Sequence, residues 1–328
     1  MKEINQILES KMLSGFRATP KGHSGGQYVQ KLEAEFRAYF GVKYAIALNS
    51  ATAGLHAALI ACGIGEGDEV IVSPYSFSSS ASCVLMVGAT PVFADIDPLT
   101  YCIDPSKVDA LITRKTKAII PVHLFGHPTD MDGIMGIAKA YQLRIIEDAA
   151  QAITATYNGR YVGTIGDCGI FSFNQNKHIS TGEGGMLITD SDQIAERVRA
   201  VRNHGEVAAP ELKVLGYNYR MCEIEAALAL EQFRVIDKTI SARIQKAEKL
   251  DTGICQRGLF PPFVAEGCKH IYYLYAVKDE IGCGIDGFIK GYVEPLYMLP
   301  IYQQFGYGKG LCPVTEEVQQ LLWVKSML

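Results

Sequence analysis

The sequence predicts an α/β protein: a mostly parallel sheet with helices on both faces, followed by a smaller α+β C-terminal domain. Three observations carry this expectation. Short apolar runs such as YAIALNS, DEVIVSP and LRIIEDAAQA alternate with helical patterns of about a dozen residues, the signature of βαβ units. The chain has 328 residues, 48% of them hydrophobic, enough for one large core and a second lobe. After about residue 240 the alternation stops, and a long helical segment leads into a strand and a Gly-, Pro- and Tyr-rich end. Residues 1–240 are therefore expected to form the large domain with an N-terminal arm, and 241–328 a small C-terminal domain.

The elements follow in order. In GGQYVQKLEAEFRAYFG, Val29, Leu32, Phe36 and Phe40 recur at helical spacing ahead of a glycine stop. YAIALNS, TAGLHAALIACG and DEVIVSP then read as strand, helix and strand. TPVFADID, AIIPVHLFG, DGIMGIAKAYQ and LRIIEDAAQA continue the alternation. Beyond residue 240, TISARIQKAEKLDTGICQRG reads as a helix and YYLYAVK as a strand.

Charge and composition exclude several classes of partner. With 31 basic and 35 acidic residues the net charge is -4, with no long run of one sign, which argues against nucleic acid or an anionic membrane. The nine cysteines form no C-x-x-C pair and follow no secretory segment, so a reduced, cytoplasmic setting is expected. No apolar stretch reaches the ~18 to 20 residues that span a bilayer. His127 and Asp132 lack the spacing of a metal-binding cluster, so no metal is expected.

In open α/β sheets ligands gather at the carboxyl ends of the strands. That rule selects Asn49 to Thr52, Pro74 to Phe77, His123, Asp148 to Gln151, and Ser172 to Lys177. Ser50, Ala51 and Thr52 open a helix, where free amides and the positive dipole end favour an anion, although Ser and Thr also serve there as ordinary caps. Asp148 stands where a strand hands over to helix-forming alanines; it suits an N-cap, or a carboxylate that keeps a heteroaromatic nitrogen protonated for an electron-sink cofactor. Ser172 offers a second hydroxyl five residues before Lys177, and Phe77 offers either a ring face for a cofactor or a core side chain. Lys177 is a surface lysine or the amine of a Schiff base, with the glycines of TGEGG letting the backbone approach a bound ring.

The segments NSATAGLHAAL, GATPVFADID, PVHLFGHPTDMD, IIEDAAQA, FSFNQNKHISTGEGGMLITD, RNHG and GYNYRMCEIEAALALEQ resemble the DegT/DnrJ/EryC1/StrS sugar aminotransferases, fold-type I pyridoxal-phosphate enzymes. The resemblance runs from about residue 12 to about residue 240, and family members extend some tens of residues beyond this C-terminus. It implies pyridoxal 5'-phosphate as cofactor, with Lys177 as its covalent partner, Asp148 at the pyridine nitrogen and Gln151 beside the ring hydroxyl. It also implies that Ala51, Thr52 and Ser172 hold the phosphate, with Ser50 beside them in the cofactor-binding set, and that Phe77 stacks on the ring. Asn218 would reach the phosphate from the second subunit of a homodimer, or else is a polar turn residue. His123 is a substrate contact or a hydrogen-bonded structural histidine; Glu183 is a substrate contact or an exposed loop residue. The implied reaction moves an amino group from L-glutamate, leaving 2-oxoglutarate, to a nucleotide-linked keto-sugar. A sugar dehydratase is disfavoured, because such relatives carry histidine in place of the lysine, whereas here Lys177 is kept and His178 is its neighbour. A non-catalytic regulatory protein that binds the same cofactor is the remaining alternative.

Overall fold

The computed structural model describes residues 2–16, 23–205 and 214–327. Along the chain run β1 (Tyr44–Leu48), β2 (Glu69–Val72), β3 (Thr90–Phe93), β4 (Thr116–Ile120) and β5 (Arg144–Asp148), then a short ribbon of β6 (Thr156–Tyr157) and β7 (Arg160–Tyr161), then β8 (Cys168–Ser172) and β9 (Gly185–Thr189). One seven-stranded sheet has the order β1-β9-β8-β5-β4-β2-β3. Strands β8, β5, β4, β2 and β3 are parallel to one another, while β9 pairs antiparallel with both β1 and β8. The reversal matters for the site: Gly185, the first residue of β9, pairs with Leu48 and Ser172, the last residues of β1 and β8.

The sheet is covered on both faces, and the alternation of side chains shows how. In β8, Cys168 and Ile170 pack with the helices Ala51–Ala61 and Asp192–Arg202, whereas Phe171 packs with the helices Gln27–Phe40 and Glu223–Phe233. Strands β1 and β9 divide their residues in the same way, as period-two geometry requires. The expected helical stripe of Val29, Leu32, Phe36 and Phe40 is buried, and Gly41 ends that helix at φ 68°. Phe36 stacks on Phe233 at 4.0 Å between centroids, so the two helices of that face are joined by aromatic contact.

The C-terminal segment adds a second sheet. Strand β10 (Cys268–Lys269) extends the ribbon of β6 and β7, while β11 (Leu274–Lys278), β12 (Ile289–Lys290) and β13 (Leu322–Ser326) form an antiparallel sheet in the order β11-β13-β12. Residue 240, the expected boundary, lies inside the helix Ile236–Gln256: Ile236 and Ile240 pack with the large core, Ala247 and Ile254 with the smaller one. Tyr297 and Tyr302 are buried against Phe93 of the large sheet, so packing is what these two tyrosines do. No helix among the described residues is long and apolar enough to cross a membrane.

Buried histidines join the two parts. His127 donates to Pro128 O (2.6 Å) and accepts from Ala265 N–H (3.1 Å); His270 accepts from Tyr272 N–H (3.1 Å). Burial pushes the His127 imidazole down to about 4, and His270 also well below its ordinary value. Between pH 6.5 and 4 the unfolded chain therefore binds a proton that folded His127 refuses. Stability is full above about pH 6.5 and falls with acid, by up to about 3 kcal/mol through His127 alone. Urea denaturation at pH 7.5, 6 and 5 should show the midpoint falling; a flat profile would contradict this.

Candidate active site

The carboxyl ends of β1, β2, β5 and β8 open onto a cavity of about 400 Å³. The sequence brings an anion-binding element there first. Ser50 caps the helix Ala51–Ala61, its Oγ accepting from Ala53 N–H (3.1 Å) and its carbonyl from Gly54 N–H (3.1 Å). The amides of Ala51 and Thr52 have no carbonyl within the helix to bond, and both residues line the cavity. Ser50 thus serves as an ordinary cap and a cavity residue at once.

Gly185 sets the position of this helix start. A Cβ at Gly185 would lie 2.6 Å from the Ser50 carbonyl carbon and 2.7 Å from the Ala51 nitrogen. The glycines of TGEGG were expected to admit a cofactor ring. Instead, Gly182, Gly184 and Gly185 lie outside the cavity lining, and Gly185 lets β9 approach the helix start. Gly185→Ala is expected to push the first helical turn away, costing about 1–3 kcal/mol. A drop of several degrees in Tm would check this.

Adjacent carboxylates of β5 face opposite ways. Glu147 is buried and accepts from the N–H groups of Gly163 (2.7 Å), Ile165 (2.6 Å) and Gly166 (2.6 Å) and from His123 Nε2 (3.0 Å). His123 accepts from Thr129 N–H at Nδ1 (3.0 Å), so both ring nitrogens are committed. It is fully buried and outside the cavity lining: the structure makes it the hydrogen-bonded structural histidine, on the face that Glu147 occupies. Asp148 faces the cavity. Its Oδ2 accepts from Ser80 Oγ (2.7 Å), which contacts Ser76 Oγ (2.8 Å), and its Oδ1 accepts from Ala150 N–H (3.1 Å). No helix follows Asp148, contrary to the expectation from the alanines: Ala149 N–H bonds to Ile170 O (2.9 Å), which keeps the chain extended along β8 before it turns.

Lys177 sits on the chain that folds back from β8 to β9. Phe173 N–H bonds to Gly184 O and Thr181 N–H to Phe173 O, both at 2.9 Å, closing that segment on itself. The Lys177 side chain lines the cavity, and its Nζ lies 4.2 Å from the centroid of the Tyr273 ring. No ion pair to Lys177 forms among the described residues. Burial pushes the amine down from 10.5 to about 8, and the Asp148 charge opposes that shift. Half of the amine is then neutral near pH 8, which suits a nucleophile and base.

The other expected residues divide clearly. Phe77, Gln151, Ser172 and Glu183 line the cavity. Phe77 is 60% exposed, so it is an open ring at the mouth of the cavity and not a core side chain. Gln151 accepts from Phe125 N–H (2.9 Å) and donates to Tyr292 OH (2.9 Å), which fixes the orientation of its amide. Glu183 accepts from Asn174 Nδ2 (3.0 Å). Asn218 is exposed and does not line the cavity of its own chain; its carbonyl accepts from Asn49 Nδ2 (3.2 Å). The structure also brings in Ser79, Tyr273, Tyr292 and Val293, which the sequence reading did not select. The serine run in SFSSSAS was the available signal for Ser79.

An amine of lowered pKa, a buried carboxylate and the free amides of a helix start meet on one cavity at the carboxyl edge of a mostly parallel sheet, the arrangement of an α/β enzyme. Residues 8–324 match the model of the DegT/DnrJ/EryC1/StrS aminotransferase family, and the chain belongs to that family. It is 40% identical over 345 residues to the spore coat polysaccharide biosynthesis protein SpsC of Bacillus subtilis, covering 95% of this chain and 85% of that protein. It is 43% identical over 299 residues to the GDP-perosamine synthase of Caulobacter vibrioides, covering 85% and 80%. An aminotransferase structure from Psychrobacter cryohalolentis superimposes with a TM-score of 0.90 at 32% identity, covering 99% of this chain and 90% of that one. The protein is thus an enzyme of the aminotransferase kind.

Proposed function

We propose that the protein is a pyridoxal-phosphate-dependent transferase that moves an amino group from L-glutamate to a nucleotide-linked keto-sugar. The observation that carries the reading is the meeting of Lys177, Asp148 and the Ser50–Thr52 helix start on one cavity. The donor set fits the cofactor: amides and hydroxyls for a phosphate, an uncommitted amine for an aldehyde, a carboxylate for a ring nitrogen and an open phenyl ring for stacking. Kinship with a GDP-perosamine synthase supports a nucleotide-sugar acceptor.

When bound, pyridoxal phosphate supplies an aldehyde that exchanges amines and a cationic ring that accepts the electron pair left on carbon. Asp148 holds the ring nitrogen protonated, itself oriented by Ser80 and Ala150. Lys177 would hold the aldehyde at rest through its Nζ. Once released, its Nζ takes the proton from the donor α-carbon and later delivers one to the carbon of the new amino group. Ala51, Thr52 and Ser172 anchor the phosphate, and Asn218 of the partner subunit completes that anchor in a homodimer. The full chain is to be incubated with glutamate and keto-sugar nucleotides. The reading expects one 2-oxoglutarate per amino sugar, with ping-pong kinetics. Release of water without consumption of glutamate would indicate a lyase, and cofactor binding with no turnover a regulatory protein.

A further inference from the structure

Lys177 rests on an aromatic face and not on a carboxylate. Nζ lies 4.2 Å from the Tyr273 ring centroid, and the backbone that carries the ring is tied to its neighbours. Tyr273 N–H donates to Phe125 O (2.8 Å), and Phe125 N–H donates to the cavity residue Gln151 (2.9 Å). Phe125 adopts φ 57°, a left-handed conformation that costs a bulky residue free energy and persists only where the surroundings fix it. At Gly126, φ 96°, a Cβ would lie 3.0 Å from Tyr273 N, so the turn of HLFG presses directly on the start of β11. The Tyr273 ring also meets His178, with centroids 5.9 Å apart.

The groups around the amine come from several elements: Asp148 of β5, Glu183 and His178 of its own loop, and Tyr292 just after β12; behind them Arg243 of the helix Ile236–Gln256 acts on His178 and Tyr273. None forms an ion pair with Lys177, and the Arg243 charge bears on His178. The ring face is the close contact that favours an ammonium.

We propose that Tyr273 is a positioning residue for Lys177: its ring face holds the side chain inside the cavity whenever the amine is not bonded to the cofactor. The proposal rests on the reading of Lys177 as the reacting amine. It follows that the face, and not the hydroxyl, matters. Loss of the face removes a stabilisation of the charged amine and so lowers its titration midpoint.

The test uses the full chain freed of cofactor. The rate of covalent capture of pyridoxal phosphate is followed by absorbance from pH 6 to 10 in wild type, Tyr273→Phe, Tyr273→Leu and Tyr273→Met. Wild type and Tyr273→Phe should share a midpoint near pH 8. The Leu and Met variants should move it down by about 0.5 pH unit or more. Proton removal from glutamate should slow by about tenfold or more in Leu and Met, with the KM for glutamate unchanged, and return in Phe. A midpoint that stays or rises in both Leu and Met, or a Phe variant that behaves like Leu, overturns the proposal. Undiminished capture by Lys177→Ala would instead overturn the reading of the active site itself.

Discussion

Lys177→Ala is expected to end transamination while leaving the fold intact. The side chain makes no ion pair among the described residues, and burial of its ammonium costs free energy, as its lowered pKa shows. Removing it therefore costs little stability, and the melting temperature should stay the same or rise. Turnover should fall by at least about 10³-fold, since covalent attachment and proton transfer both depend on one amine. Glutamate consumption by purified variant and wild type measures this directly. Retained turnover would remove Lys177 from the mechanism.

Asp148→Asn is the second large effect, and it separates charge from shape. Asp148 sits among Ser80, Ser76 and Ala150, and the Ser76–Ser80 pair can reverse its donor and acceptor roles, so an amide fits where the carboxylate was. The variant should fold normally and still bind the cofactor. Its amide, however, carries no charge to hold a ring nitrogen protonated, and a drop of roughly 10²- to 10³-fold in proton removal from glutamate is expected. Asp148→Ala should in addition lose about 1–3 kcal/mol, because Ser80 Oγ and Ala150 N–H are left without their acceptor. An unchanged rate in Asp148→Asn would mean that another group governs the ring.

Much of this site is legible in the sequence because the sheet makes it so. Apolar strands buried on both faces leave their first polar residues at the carboxyl edge, which is where Thr52, Asp148 and Ser172 appear. Facing is harder to read. Glu147 and Asp148 are neighbours in the chain, yet one binds the Gly163–Gly166 turn and His123 while the other lines the cavity. A strand-end histidine such as His123 goes with whichever face its partner takes, and the partner is set by tertiary contact. The alanines after Asp148 illustrate a local preference overruled: one ladder bond to Ile170 keeps them from starting a helix.

Tyr273 and Tyr292 were not legible at all. They enter the cavity from a segment about a hundred residues beyond Lys177, and a tyrosine run carries no local sign of the contact it will make. Gly185 shows the reverse case. The cluster marks a place where backbones meet closely, but only the geometry tells that the partner is the Ser50 helix start and not a ligand.

The central claim is a covalent bond between Lys177 and an aldehyde cofactor, and it can be read from mass alone. The purified chain is loaded with pyridoxal phosphate, reduced with borohydride, digested and mapped by mass spectrometry. The account predicts a single stoichiometric addition, on the peptide that carries Lys177. Addition at another lysine, or none with the chain folded and the cofactor in excess, would contradict it.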